Sequence, residues 1–178
     1  MNLARERYSY YDYKHWEGDW ELIDGFPFAM APSPVKSHQA LASMMIFELT
    51  KNLQECQKCI VVNELDYKVD EYNILKPDVA VICNEENDYI IKAPKIVVEV
   101  ISPSTARRDE VYKKEIYEKE GVKYYILIYP DNLYAKVFKN IDNKFAKIGD
   151  FESEKFKFNF DECEGEVDFE NIFKRFRN

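Results

Sequence analysis

Two carboxylates stand out because each lies where a charged side chain is costly. Asp78 opens an apolar run that ends at Cys83, and Glu99 is the one charged residue between Ile96 and Ile101. Apolar neighbours on both sides of Glu99 indicate a strand that is covered on both faces. A buried carboxylate there must be paired, protonated or bound to a cation. A functional acid, a buried ion pair and an exposed edge residue are therefore the three alternatives for Glu99.

A basic residue that could act with these carboxylates, Lys113, follows in the helix predicted over residues 106–120. Asp109, Lys113 and Tyr117 are spaced i, i+4 and i+8, which places them on one face of that helix. A short loop joins the strand of Glu99 to the helix, so the first helical turns lie near the carboxyl end of that strand, where α/β sites usually form. The functional interpretation puts the Lys113 ammonium beside both carboxylates. The alternative is an exposed Asp109–Lys113 ion pair, worth about 0.3 kcal/mol.

Helices and strands in alternation would position these residues. Ser37 is the predicted N-cap of a helix that runs to about Leu53, and Gly121 ends the second long helix. Strands are predicted over 19–23, 26–31, 60–69 (one or two strands), 78–83, 95–101, 122–129, 134–139, 144–148 and 155–160, and a short helix over 8–15. The strand–helix–strand order within residues 95–129 predicts an α/β or α+β sheet with a right-handed crossover.

Composition restricts the class of protein. The chain has 178 residues, of which 46% are hydrophobic and 33% charged, and no linker or repeat divides it, so we interpret residues 1–178 as a single globular domain. The net charge of −8 argues against a protein that coats polyanions without specificity.

The charge is distributed unevenly along the chain, since residues 92–149 hold twelve bases and eight acids whereas residues 150–171 hold two bases and nine acids. We expect a basic face that contacts phosphates, formed by Arg107, Arg108, Lys113, Lys114 and Lys123.

The N-terminus and the cysteines indicate the compartment. Residues 1–20 are polar and tyrosine-rich without the apolar core of a signal peptide, and no apolar run reaches the roughly 18 residues of a membrane helix. We therefore expect a cytoplasmic protein without a membrane partner and with free thiols. The cysteines are Cys56, Cys59, Cys83 and Cys163. Cys56 and Cys59 form a CxxC pair. A zinc site would also need a second cysteine pair or histidines at ligand spacing, and the only histidines of the chain are His15 and His38.

The residues with possible chemistry fall in a pattern that resembles one family. The central segments are Pro77-Asp78-Val79, then Val98-Glu99-Val100-Ile101-Ser102-Pro103-Ser104-Thr105, then Arg108-Asp109 with Lys113, Tyr117 and Gly121-Val122-Lys123-Tyr124-Tyr125. The N-terminal segments are Glu21-Leu22-Ile23-Asp24-Gly25, Ala31-Pro32-Ser33-Pro34 and His38-Gln39. Over about residues 8–170 the chain resembles the Uma-two family of restriction-endonuclease-like proteins, a branch of the PD-(D/E)XK nuclease superfamily.

This resemblance implies a restriction-endonuclease-like core, in which helices flank a mixed central β-sheet. It also implies that Asp78 and Glu99, with the backbone carbonyl of Val100, bind Mg²⁺ or Mn²⁺. In the usual motif a lysine lies two residues after the glutamate, where this chain has Ile101. The resemblance indicates that Lys113 on the following helix replaces it, and a long side chain one helical turn into that helix can reach the same point in space.

Four further residues are candidates for supporting the metal ligands or contacting a phosphate, namely Glu21, His38, Ser102 and Asp109. His38 lies in the first turn of a helix, where a histidine is more often a core or capping residue. Glu21 is a strand glutamate that precedes a turn. Ser104 is more simply the N-cap of the helix that carries Lys113.

The functional hypothesis is a metal-dependent endonuclease that hydrolyses DNA phosphodiester bonds and, as the resemblance implies, leaves a 5′-phosphate. The metal would polarise the phosphate and activate a water, and Lys113 would orient that water and stabilise the developing charge. A homodimer is expected from the fold, because two sites then face two strands. The alternative is a catalytically inactive nucleic-acid-binding or assembly module on the same fold. The sequence has no GxSxG, HExxH or P-loop motif that would support another hydrolase.

Overall fold

A computed structural model describes residues 6–30, 35–161 and 163–177. The helices are α1 (Tyr10–Tyr13), α2 (Lys36–Asn52), α3 (Lys114–Lys119) and α4 (Phe169–Phe173), and a π-helical segment (Arg108–Lys113) leads into α3. The strands are β1 (Trp20–Ile23), β2 (Phe26–Ala29), β3 (Cys59–Asn63), β4 (Tyr67–Lys68), β5 (Ile74–Leu75), β6 (Val79–Cys83), β7 (Ile96–Val100), β8 (Tyr124–Tyr129), β9 (Tyr134–Ile141), β10 (Lys144–Phe151), β11 (Lys155–Phe160) and β12 (Cys163–Asp168). None of the helices in these ranges has the length and apolarity needed to cross a membrane.

The central sheet has six strands in the order β10-β9-β8-β7-β6-β3. Strands β7 and β8 are parallel, while the other neighbouring pairs are antiparallel, so the sheet is mixed. The π-helical segment and α3 form the crossover between the two parallel strands. A smaller sheet has the order β2-β1-β5-β4, and β11 and β12 form a separate ribbon. The prediction of an α+β fold with a mixed central sheet flanked by helices is confirmed.

Side-chain alternation along β7 determines which way Glu99 points. Val98 belongs to the hydrophobic cluster that also contains residues of α2 and of the β11–β12 ribbon. Val97 belongs to the cluster on the other side, together with Tyr117 of α3. Successive strand residues face opposite sides of a sheet, so Glu99 shares the face of Val97 and points toward the crossover helix. All residues of β7 are buried, as the apolar neighbours of Glu99 predict.

The π-helical segment departs from the regular helix predicted over residues 106–120. Hydrogen bonds between residues five apart make a wider turn, with a smaller rotation per residue than the roughly 100° of an α-helix. Residues four apart therefore lie more nearly in line. Asp109 and Lys113 are both buried on the inner side of this segment, and Tyr125 of β8 donates a hydrogen bond of 2.8 Å to the Asp109 carbonyl. The wide turn thus keeps both charged side chains aimed at the sheet.

Several boundaries differ from the prediction. Helix α2 begins at Lys36 with Val35 as its N-cap, so the prediction that Ser37 caps it is wrong. The predicted hairpin is present, with positive φ at Asp24 and Gly25 as its turn requires, although β2 ends at Ala29. The motif that begins at residue 31, Ala31-Pro32-Ser33-Pro34, lies outside the described residues.

Strands β5 and β12 and helix α4 were not predicted. β5 is only two residues long, and β12 is rich in acidic residues and contains Gly165, so neither has a strong strand pattern. Their pairing with β1 and with β11 supplies the stabilisation that local propensity lacks. α4 is a five-residue helix whose N-cap, Asp168, accepts a hydrogen bond from the Asn171 backbone.

The expectation of free thiols is wrong. The structure joins Cys56 to Cys163 and Cys59 to Cys83 as disulfides, which leaves no free cysteine among the described residues. The partners are 107 and 24 residues apart in sequence. Sequence spacing could not reveal these pairs, since only the tertiary fold brings them together.

Gly165 provides a test of the packing between the ribbon and α2. It lies opposite Phe158 in the ribbon, and an added Cβ would come within 2.5 Å of the Phe158 ring and 3.1 Å of the Asn52 carbonyl oxygen. Because the Phe158 ring is buried in the core, it cannot move aside freely. We expect Gly165→Ala to lower the free energy of unfolding in urea by about 2 kcal/mol.

Gly149→Ala is the matched control for this substitution. Its Cβ would meet Phe151 at 3.4 Å, an ordinary contact, so we expect a change within about 0.5 kcal/mol. Equal effects of the two substitutions would contradict the packing described around Gly165.

The connection from β6 to β7 is organised by the carboxylate of Glu85. It accepts hydrogen bonds from the backbone N–H groups of Ile91 at 2.9 Å, Lys92 at 3.1 Å and Asn87 at 3.2 Å. Partial burial raises the pKa of Glu85, but these hydrogen bonds outweigh burial and lower the pKa to about 2. The ionised carboxylate therefore stabilises the fold.

The low pKa of Glu85 predicts a specific pH dependence. Its stabilisation is fully present above the ordinary glutamate pKa and is lost as pH falls toward about 2. We expect Glu85→Gln to lower the free energy of unfolding by about 1 kcal/mol at pH 6, less than full linkage would give because solvent screens the site. The difference from the wild type should shrink at pH 3.5, when both are measured by urea unfolding. Glu86→Gln is the control, and a pH-independent difference for Glu85→Gln would refute the assignment.

Candidate active site

The ammonium of Lys113 lies at the centre of a buried group of carboxylates. Its Nζ is 2.6 Å from Glu99 Oε1, 2.7 Å from Glu21 Oε1 and 3.5 Å from Asp109 Oδ1. The residue is only 1% exposed. Three parts of the fold thus meet at one cation, namely β1 with Glu21, β7 with Glu99 and the π-helical segment with Asp109.

Asp78 joins this group through the ends of β6 and β7. Its backbone N–H donates to Glu99 Oε2 at 3.3 Å, and its Oδ2 accepts from the Val100 N–H at 2.7 Å. His38 Nε2 of α2 lies 3.2 Å from the same Oδ2. In an extended strand the N–H and C=O of one residue point to the same side, so the Val100 carbonyl also faces the Asp78 side of β7.

Glu21 is bound from three directions although it lies in the smaller sheet. Besides Lys113, the Nε of Arg108 lies 3.2 Å from Glu21 Oε2, and the Lys76 backbone N–H donates to Oε1 at 2.8 Å. Glu21 is fully buried. Among the described residues no group forms a hydrogen bond with its buried Oε2, and the Arg108 contact is an ion pair without hydrogen-bond geometry. We refer to Glu21, Asp78, Glu99 and Asp109 as the carboxylate cluster.

Burial and mutual charge shift the protonation equilibria of this cluster. Burial raises the pKa of Glu99 well above its usual range, Lys113 opposes that shift, and the neighbouring carboxylates add to it. Burial also raises the pKa of Asp109. Burial lowers the pKa of Lys113, but Glu21, Glu99 and Asp109 together raise it well above its usual value. The ammonium therefore stays charged and shared among the acids.

Two side chains beside the cluster also carry shifted pKa values. The hydrogen bond to Asp78 raises the pKa of His38, against the opposing effect of burial. Tyr117 donates a hydrogen bond of 3.0 Å to Glu99 Oε1, and its burial raises the pKa of its phenol well above the usual value. Tyr117 is thus a neutral donor that holds one oxygen of Glu99 in place.

A cavity of about 410 Å³ opens onto the cluster. Asp78, Glu99, Lys113 and Asp109 lie in its wall, with His38. The wall is completed by Asp19, Met30, Val35, Gln39, Glu64, Lys76, Val100, Ser102, Ser104, Thr105 and Arg108. The predicted site residues other than Glu21 therefore share a concave surface at the end of the central sheet.

The structure brings together most of the predicted site residues. Asp78, Glu99, Lys113 and Asp109 contact one another or a common partner, and Glu21 and His38 contact the same group. The exposed Asp109–Lys113 pair, the alternative for this helix, is excluded because both residues are buried.

Ser102 is placed differently, although it lines the cavity. Its hydroxyl lies 3.0 Å from that of Ser104 and 3.1 Å from that of Thr105. Its contacts organise the loop before the crossover helix and do not reach the carboxylate cluster.

The predicted basic face is wrong in including Lys113, while Arg107 and Lys123 are exposed as it requires. Lys113 is buried among carboxylates, and Arg108 pairs with Glu21 while its guanidinium lies over the Phe28 ring. The ammonium of Lys114 lies 4.0 Å from the centre of the Phe138 ring. Sequence charge alone could not separate buried from exposed bases.

Sequence reasoning did not assign Lys76 to the site. Its side chain is 13% exposed and pairs with Asp19 at 2.7 Å and Asp66 at 3.5 Å, while its backbone binds Glu21. The signal was its position directly before Pro77-Asp78. Because its backbone N–H donates a hydrogen bond to Glu21, Lys76 belongs with the residues that position that carboxylate.

The donor set suits a hard divalent cation, although the side chains as placed do not form a ligand cage. No group of three or more His, Cys, Asp or Glu among the described residues is arranged to hold a metal ion. The carboxylate cluster nevertheless carries four acids against the two permanent cations Lys113 and Arg108. Among the described residues, the hydrogen bonds and ion pairs of the Asp78 side chain involve Oδ2, and none involves Oδ1. Carboxylate oxygens are the donors that Mg²⁺ and Mn²⁺ prefer.

The fold is shared with a protein of known structure. The crystal structure of a "putative nuclease belonging to DUF820" from Anabaena variabilis aligns with a TM-score of 0.69 over 89% of this chain and 92% of that one. The identity is 19%, so this likeness shows the fold. No curated protein matches the sequence.

The family is shown by a match over most of the chain. The family described as "Putative restriction endonuclease" and named Uma2 matches residues 7–155, which include β1, β6, β7 and the crossover helix. Every residue of the carboxylate cluster lies within that match. The chain therefore belongs to the Uma2 family.

Proposed function

We propose that the protein is a metal-dependent nuclease that hydrolyses phosphodiester bonds of DNA, with Asp78, Glu99 and Lys113 as its catalytic residues. Family membership supports a nuclease, and the donor set of the cluster supports a divalent metal. The observation that carries the proposal is the 2.6 Å contact between Lys113 and Glu99. In this proposal a lysine from the helix would take the place beside the glutamate that the usual motif fills from the strand.

Asp78, Glu99 and the backbone carbonyl of Val100 would hold Mg²⁺ or Mn²⁺. All three are oxygen donors at the adjoining ends of β6 and β7, and Asp78 and Glu99 are already linked through backbone hydrogen bonds. When bound, the metal supplies a Lewis acid that polarises the phosphate and lowers the pKa of a coordinated water. It would also favour the ionised forms of the crowded carboxylates, whose pKa values burial raises.

The protein's own side chains position these groups. His38 and the Val100 N–H orient Asp78, and Tyr117 orients Glu99. The Lys113 ammonium stays protonated beside Glu99 and would stabilise negative charge that develops on the phosphate. Glu21 and Asp109 hold Lys113 in place from the other two directions.

A second candidate function is a nucleic-acid-binding or assembly module without activity. One observation favours it, since Lys113 is 1% exposed and its charge is already shared among three carboxylates. A lysine held in that way would have to shift to contact a substrate. Metal-dependent cleavage of DNA would support the nuclease, and DNA binding without cleavage would support the binding module.

Nicking of supercoiled plasmid tests the nuclease directly. With Mg²⁺ or Mn²⁺ we expect the wild type to convert plasmid to open-circular and linear forms, and a chelator to abolish this. Asp78→Asn and Lys113→Met should each lower the rate by about 100-fold or more, because one removes a metal ligand and the other a charge-stabilising donor. Gel densitometry over time gives the rates.

Lys119→Met is the matched control, since Lys119 is an exposed lysine of α3 in the same crossover. It should cleave like the wild type, and circular dichroism should show that all variants are folded. Equal cleavage by the wild type and both site variants would identify a contaminant and reject the site. DNA binding without metal-dependent cleavage would instead support the module.

We also propose that the active form is a homodimer in which two sites face the two DNA strands. The expected result in analytical ultracentrifugation is a dimer at the concentration where linear product appears directly from supercoiled plasmid. A monomer that linearises plasmid in one binding event would contradict this arrangement.

A further inference from the structure

A second group of reactive side chains lies at the opposite end of β6 from Asp78. Cys56 follows α2, Cys59 begins β3, Cys83 ends β6 and Cys163 begins β12. The four are the only cysteines of the chain, and they come from four different parts of it. The proposed nuclease chemistry uses none of them.

The four sulfurs lie close together, although while they are paired as disulfides they do not form a group that could hold a metal ion. The Cα atoms are 5.7 Å apart for Cys56 and Cys163 and 4.1 Å apart for Cys59 and Cys83. Between the two disulfides, Cys59 Sγ lies 4.0 Å from Cys163 Sγ. Each member of the CxxC pair is thus joined to a different distant cysteine, which brings both distant cysteines next to that pair.

The local backbone supports a common centre. The Cys59 N–H donates to the Cys56 carbonyl at 2.9 Å, a tight turn that brings both members of the CxxC pair to one side. A tetrahedral zinc site with Zn–S bonds of about 2.3 Å places its sulfurs about 3.8 Å apart. The 4.0 Å separation of Cys59 and Cys163 is close to that distance.

We propose that the reduced protein binds one Zn²⁺ through the four thiolates of Cys56, Cys59, Cys83 and Cys163. Four soft sulfur donors in a closed, tetrahedral arrangement are typical of structural zinc. Cys56 is buried, and the other three cysteines are half-buried against the core, so the site would be shielded from water. The second pair that zinc requires is supplied by the fold, since Cys83 and Cys163 are not adjacent in sequence.

The disulfide form and the zinc form are two states of the same four sulfurs. Each disulfide takes two electrons and two protons from a dithiol reductant, which becomes a disulfide itself. The four thiols formed then lose their protons to solvent as Zn²⁺ binds. Since zinc would join β12 to β3, β6 and the turn that follows α2, it would hold the β11–β12 ribbon against the central sheet.

Metal content of the reduced full-length chain tests the proposal. The protein is reduced with excess dithiothreitol under nitrogen, incubated with ZnCl₂, desalted and analysed by inductively coupled plasma mass spectrometry. We expect about one zinc per chain, and CoCl₂ in its place should give the sulfur-to-cobalt charge-transfer bands of a tetrahedral thiolate site. Less than about one tenth of an equivalent, or cobalt without those bands, would overturn the proposal.

Variants locate the metal. Cys56→Ser and Cys163→Ser should each lose the charge-transfer bands, whereas Asp78→Asn with Glu99→Gln should keep them, which separates this site from the carboxylate cluster. Retention of the bands in both cysteine variants would overturn the proposal.

A measurement on the wild type alone covers the case in which the cysteine variants do not fold. In the reduced wild type, zinc should slow alkylation of all four cysteines by iodoacetamide at least about tenfold, as measured by mass spectrometry. Alkylation at the same rate with and without zinc would overturn the proposal independently of any variant. None of these readouts depends on nuclease activity.

Discussion

The ion pairing of the Lys113 ammonium is the interaction on which the rest of the site depends. A lysine that is 1% exposed would be strongly destabilising alone, and so would each buried carboxylate around it. Together they compensate one another, because the ammonium forms ion pairs with all three carboxylates. Glu21 comes from the smaller sheet, Glu99 from the central sheet and Asp109 from the π-helical segment. The same contacts therefore join three parts of the fold and place the proposed catalytic groups beside one another.

The compensation is incomplete, and this links stability to function. Four acids face the two permanent cations Lys113 and Arg108, and burial raises the pKa of Glu99. Among the described residues, the hydrogen bonds and the ion pair of the Asp78 side chain involve only one of its two oxygens. A protein selected for stability alone would gain nothing from such a surplus of buried negative charge. A divalent cation that arrives with its substrate would relieve it, which is why the geometry and the family membership support the same proposal.

The sequence predicted the site residues that stand out from their immediate neighbours in the chain. It did not predict the contacts that only the tertiary fold brings together. Glu99 within an apolar strand, and Asp109 and Lys113 four residues apart, indicated the site. The mixed sheet followed from the strand–helix–strand order. The π-helical turn could not be predicted, because it depends on packing against β8. Nor could the pairing of Glu21 with Lys113, or the meeting of four cysteines up to 107 residues apart, since no local pattern encodes contacts of that range.

The most direct test is a double-mutant cycle on the free energy of unfolding with Lys113→Met and Glu21→Gln. Chemical denaturation of the wild type, both single variants and the double variant gives their coupling. If the shared ammonium holds the two sheets together, the single variants should be strongly destabilised, and the double variant should recover about 2 kcal/mol relative to their sum. Additivity within about 0.4 kcal/mol would contradict the account, because it would mean that Lys113 and Glu21 do not depend on each other.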